Sequence, residues 1–119
     1  MADQTNFFNW HIGTLTGNVE LSVNIGEATI TGTPSVSLGT TTKTATNGVW
    51  SLGPVASLVG QKLTVFCRVA MNPGAPVMPI TINYNFSIGG KVIFNEPFKD
   101  PQVTANGYYG YTAIFTILA

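Results

Sequence analysis

A chain of 119 residues has room for one domain and one core, and its single cysteine, Cys67, excludes both an intrachain disulfide and a thiolate metal cluster. Five cations balance five anions, and charged residues make up only 8% of the chain, about a third of the usual share. No basic patch is available for phosphates, so nucleic acid is excluded as a partner, and the polar surface has to be built from Thr, Ser, Asn and Gly.

A neutral surface gives up the charge repulsion that keeps monomers apart, which makes copies of the chain itself the first partner to expect. The apolar runs are too short and interrupted for a transmembrane helix. Met1–Asn6 has neither a basic n-region nor a long apolar h-region, so the expectation is no signal peptide and a chain that is cytoplasmic or exported by a non-classical route.

Residues 1–11 read as an N-terminal arm ahead of a domain at 12–119. The arm concentrates Phe7, Phe8 and Trp10. Burying each ring is worth roughly 1.5–3 kcal/mol, so the arm has two destinations. It folds back as an edge strand of its own sandwich, or it lies in trans on the open sheet edge of a neighbouring copy. These three residues are therefore candidates for an assembly arm.

Ile12 to Ile25 reads as strand, with Val19, Leu21, Val23 and Ile25 alternating with Glu20, Ser22 and Asn24. Gly26-Glu27 is a turn candidate, Ala28–Thr31 a short strand, and Gly32-Thr33-Pro34 its end. Thr40–Thr46 is extended by propensity but has little to bury, which predicts an exposed edge strand or a loop. Asn47-Gly48 is a strong turn signal because both residues tolerate positive φ. Val49–Leu52 follows as a strand, and Ala56–Val59 as a helical turn or a crossing between sheets. In Lys62–Val69 the inward positions are Leu63, Val65, Cys67 and Val69, while Phe66 falls on the outer face and needs cover. Residues 72–79 contain three prolines and form a loop.

Ile80–Ile88 is the most regular stretch. Ile80, Ile82, Tyr84, Phe86 and Ile88 are apolar, and every residue between them is polar and neutral. Gly89-Gly90 then suggests a two-residue hairpin, but that register sends Val92 and Phe94 to the wet face. Because a one-residue slip flips every side chain, burial predicts a three-residue loop or a bulge that aligns Phe94 with Phe86. Glu96–Pro101 reads as a second proline loop and Ala105-Asn106-Gly107 as a turn. Tyr108–Ala119 closes the chain, with Tyr109, Tyr111, Ala113, Phe115 and Ile117 on its richer face. Seven to nine strands and no helical period make an all-β fold, a single antiparallel β-sandwich of immunoglobulin-like or jelly-roll type.

Gly48-Val-Trp-Ser-Leu52 followed by Leu58-Val-Gly-Gln-Lys-Leu-Thr-Val65 resembles the pattern of bacterial immunoglobulin-like modules, across about one-sixth of the chain. The resemblance implies a sandwich and no functional residue. Such modules are usually tandem, acidic and secreted, whereas this chain is single and neutral.

Little in the sequence carries catalysis. His11 is the sole histidine and has no acid beside it, so it reads as an ordinary polar residue at a strand start. Glu20 and Glu27 read as solvated. Glu96 and Asp100 share a segment with Lys99 that could hold Ca²⁺ only with carbonyl help. Cys67 reads as a small buried hydrophobe. No catalytic residue, metal or cofactor is expected. Asn85-Phe86-Ser87 is a formal glycosylation sequon. Asn106–Tyr111 has the Tyr, Gly and Asn mix of binding surfaces. Trp10, Trp50, Tyr108 and Tyr109 are thus candidates for stacking a ligand. The expectation is a non-enzymatic structural or self-associating protein, such as a filament, appendage or particle subunit; the alternative is a lectin-like module for a carbohydrate or protein ligand.

Overall fold

The computed structural model describes residues 2–26, 29–30, 34–70, 79–100 and 108–119. In chain order they form β1 (Ala2–His11), β2 (Asn18–Gly26), β3 (Thr29–Ile30), β4 (Ser35–Leu38), β5 (Thr41–Lys43), β6 (Ala45–Thr46), β7 (Val49–Pro54), α1 (Val55–Leu58), β8 (Lys62–Ala70), β9 (Ile80–Ile88), β10 (Lys91–Asp100) and β11 (Tyr108–Leu118). One sheet runs β1-β11-β8-β4-β5, with β3 also paired to β8; the other runs β10-β9-β2-β7-β6. The fold is an all-β sandwich. It has more strands than the sequence suggests because Ser35–Leu38 forms β4 and the Thr40–Thr46 segment divides into β5 and β6. The pairing is antiparallel throughout the described residues with one exception, β1 on β11.

The period-two pattern decides what is inside. Ile80, Ile82, Tyr84 and Phe86 of β9 are buried, as are Leu63, Val65, Cys67 and Val69 of β8 and the five residues expected of β11. Outward-facing Phe66 is half-buried, with the Arg68 guanidinium carbon 5.9 Å from its ring centre. Across the interface the rings meet. Phe86 lies 5.1 Å from Phe115 and 4.7 Å from Trp10, and Phe115 lies 5.3 Å from Tyr84. Val23 and Ile25 of β2 pack against this core only partly buried.

The N-terminal segment is no appendage. It is an edge strand of its own sheet, in register with β11 from Ala2↔Tyr109 to His11↔Leu118. The strand expected from Ile12 begins only at Asn18. Gly13 (φ +64°) and Gly17 (φ +115°) bend the chain between β1 and β2, and a Cβ at Gly17 would come within 2.7 Å of Ile88 Cγ2. Thr40–Thr46 forms two edges at once, since β5 borders one sheet and β6 the other. Asn47 (φ 53°) and Gly48 (φ 78°) make the two-residue turn between Thr46 and Val49, as their tolerance of positive φ predicts.

Two conflicting signals after β9 are both satisfied. Lys91 pairs with Ile88 and Val92 with Ser87, so Gly89-Gly90 is a two-residue turn. The register then shifts, and Phe94 faces Phe86. The bulge spends one residue, leaves Val92 55% exposed, and turns Phe94 inward to stack on Trp10 at 5.3 Å. Glu96–Pro101 is not a loop as far as Asp100: β10 continues through it, with Pro97 opposite Asn83. An edge strand tolerates proline because its missing N–H can face solvent. Glu27, residues 72–78 and Ala105-Asn106-Gly107 lie outside the described residues.

Two rings on β1 test the inward and outward assignment. Trp10 is 3% exposed and Phe7 75%. Measured by urea denaturation at a concentration where the chain is monomeric, Trp10→Ala and Phe86→Ala should each cost about 3–5 kcal/mol, whereas Phe7→Ala should stay within about 0.5 kcal/mol. Equal effects at Phe7 and Trp10 would contradict the orientation of β1.

Candidate functional site

The residues that the sequence offers for chemistry are dispersed. His11 is exposed, and its Nδ1–H donates to the Ala119 carbonyl at 3.3 Å. Glu20 stands between Ser51 and Ser87 on the outer face of its sheet. Glu96 and Asp100 are four residues apart on a strand, about 13 Å, too far to share one small ion. Asp100 is already committed: Tyr111 donates its phenolic O–H to Asp100 Oδ2 at 2.7 Å. Among the described residues no group of three or more His, Cys, Asp or Glu is placed to hold a metal ion.

The proposed stacking residues are also differently placed. Trp10 and Trp50 are each 3% exposed and Tyr109 is 5% exposed, all three in the core. They are packed against protein; Trp10 touches both Phe86 and Phe94, and Tyr109 stacks on Tyr111 at 6.2 Å. The side chain of Tyr108 lies outside what is described. Of the arm residues, Phe8 and Trp10 face inward and Phe7 faces out. Asn85 of the sequon is half-buried in β9 and accepts a hydrogen bond from Asn95.

Exposed apolar surface is concentrated at Phe7, Leu15, Val59 and Val92. Leu15 and Val59 line an open groove of about 310 Å³ at one end of the sandwich, together with Ile12, Val55 and Ala56. Among the described residues no charged side chain lines it. Phe7 sits elsewhere, on the outer face of the sheet that contains β1. The two outer faces differ in character. Beyond β2 and β9 the outer positions include Glu20, Ser22, Asn24, Thr81, Asn83, Asn85 and Ser87. Beyond β1, β11 and β8 they include Phe7, Ile114 and Phe66 among threonines, Lys62 and Arg68, and Phe7 lies directly opposite Ile114.

The edges differ as well. β5 and β6 are three and two residues long. β10 has ten residues but carries Lys91, Lys99, Pro97 and the bulge, the devices that stop strands from adding to an edge. β1 also has ten residues, keeps one register throughout, and contains no lysine, arginine or proline. It is the one long edge among the described residues without such protection. The sequence pointed to this segment through its aromatics but could not show that it is an edge, because its partner β11 is at the other end of the chain. The Asp100–Tyr111 contact had no sequence signal at all.

Burial governs the ionisable groups of the core. It pushes the Cys67 thiol up to about 12 and raises the Tyr84 phenol well above its usual range. Tyr111 is raised by burial and then by its hydrogen bond to the Asp100 carboxylate. An acid whose pKa is higher folded than unfolded holds its proton more tightly in the native state. Its contribution is complete below the unfolded values, about 8.5 for a thiol and 10 for a phenol, and is lost as pH rises toward the folded ones. The urea midpoint should therefore fall between about pH 9 and 11, and Tyr111→Phe should flatten that fall. A midpoint that holds steady to pH 11 would contradict it.

Comparison with models of known protein families, with curated proteins and with solved structures finds no match in any of the three.

Proposed function

We propose that this protein is a non-enzymatic, self-associating β-sandwich that serves a structural role, as a filament, appendage or particle subunit. The observation that carries the reading is Phe7, 75% exposed in a ten-residue edge strand. It stands on a chain of zero net charge whose charged residues make up 8%. An apolar ring on an unprotected edge favours burial against another strand, and a neutral surface supplies no repulsion to prevent it. Glycan binding through Trp10, Trp50 and Tyr109 would need ring faces that the core occupies.

Light scattering coupled to size exclusion tests this. The mass should be a multiple of 12.6 kDa. It should hold between low and high salt, because few ion pairs are available to screen. A chain that remains a monomer at the highest attainable concentration would refute self-association.

A further inference from the structure

We propose that the free edge of β1 pairs antiparallel with β1 of a second copy, across a two-fold axis through Phe7. This rests on the self-association reading and specifies its surface.

The backbone sets the phase. Ile12 N–H donates to the Leu118 carbonyl at 2.8 Å, continuing the β1–β11 ladder. Amides alternate sides along a strand, so the even-numbered residues of β1 bond to β11, and Thr5, Phe7, Asn9 and His11 present theirs to the outside. An incoming antiparallel strand must match its own outward residues to these, odd to odd. Pairing β1 with itself about Phe7 does so over positions 3–11. It places Phe7 on Phe7, Thr5 opposite Asn9, and position 3, an aspartate, opposite His11. No like charges face each other in that register. One step away, about position 6, Phe7 would face Thr5, and the two exposed rings would not meet.

The second copy is favoured over a foreign strand because the edge is self-complementary: one sequence supplies an apolar centre, amide and hydroxyl neighbours, and an acid and a histidine at opposite ends. A two-fold pair of this kind is isologous and closed, the commonest arrangement of soluble oligomers. It would join two sheets into one continuous sheet and extend the Phe7–Ile114 row across the axis.

Three variants test the pairing. Phe7→Lys places two cations together at the axis; it should remain folded, since the ring is exposed, and should lower the mass measured by light scattering. In Phe7→Cys, air oxidation should join the two thiols as an intermolecular disulfide, dissolved oxygen taking the two electrons and two protons, because residues opposite each other in a hydrogen-bonded pair have Cα atoms about 5.5 Å apart, within disulfide range. In Asn9→Cys the corresponding residues would be about 14 Å apart and should not link. The native Cys67 is buried and does not interfere. Selective linking at position 7, with loss of mass in Phe7→Lys, is the expected result. If the wild-type chain associates but Phe7→Lys does not change its mass, or if both cysteine variants or neither link, the β1 pairing is overturned while self-association stands. A wild-type monomer overturns both.

Discussion

The contact on which the rest of the sandwich depends is the meeting of rings around Phe86. From β9 it reaches Phe115 on the opposing sheet, Trp10 on β1 and Phe94 on β10, with centroids 5.1, 4.7 and 5.8 Å away. Each such pair contributes about 0.5–1.5 kcal/mol beyond the apolar area it buries. More important is what the cluster connects. One ring belongs to β9, an interior strand of one sheet, one to the C-terminal strand of the other, and two to the edge strands β1 and β10. Few other features of a chain with so little charge could fix how two sheets sit on one another, and β1 is held in place largely by what Trp10 and Phe8 insert into that layer.

The bulge in β10 shows how this layer overrides local structure. Gly89-Gly90 specifies a tight turn, and the turn specifies a register that would put Phe94 outside. The chain keeps the turn and corrects the register afterwards by spending one residue between Val92 and Phe94. Val92 is left 55% exposed as a consequence. The same irregularity also spoils β10 as a template for further strands, so a correction required by packing doubles as protection of that edge.

How much of this was legible follows from which signals are local. Alternation in β8, β9 and β11 was unambiguous because each has a neutral polar residue or a small set of outward positions between apolar ones, and those strands form the core as read. Asn47-Gly48 was legible because positive φ at two successive residues is a property of the residues themselves. Segment 96–101 reads as a loop because proline breaks a central strand, but its cost depends on whether the strand is central or an edge, a fact about topology. The destination of β1 was undecided for the same reason: its partner is more than 100 residues away, and no local pattern encodes a parallel pairing of the two ends. Trp10, Trp50 and Tyr109 were offered as ligand-binding rings because composition does not distinguish a ring that lines a core from one that lines a cleft.

β1 therefore answers two opposing demands within ten residues. Its inward side must bind β11 and the aromatic layer strongly enough to hold an N-terminal strand at the margin of the fold, where fraying is the usual fate. Its outward side has none of the lysines, proline or irregularity with which β10 keeps other strands away. Protection was available in the same fold and was used on one long edge but not on the other. A strand this regular, anchored from within and unguarded from without, is what association through an edge requires, because only an edge fixed in place can offer a partner a ready row of backbone donors and acceptors.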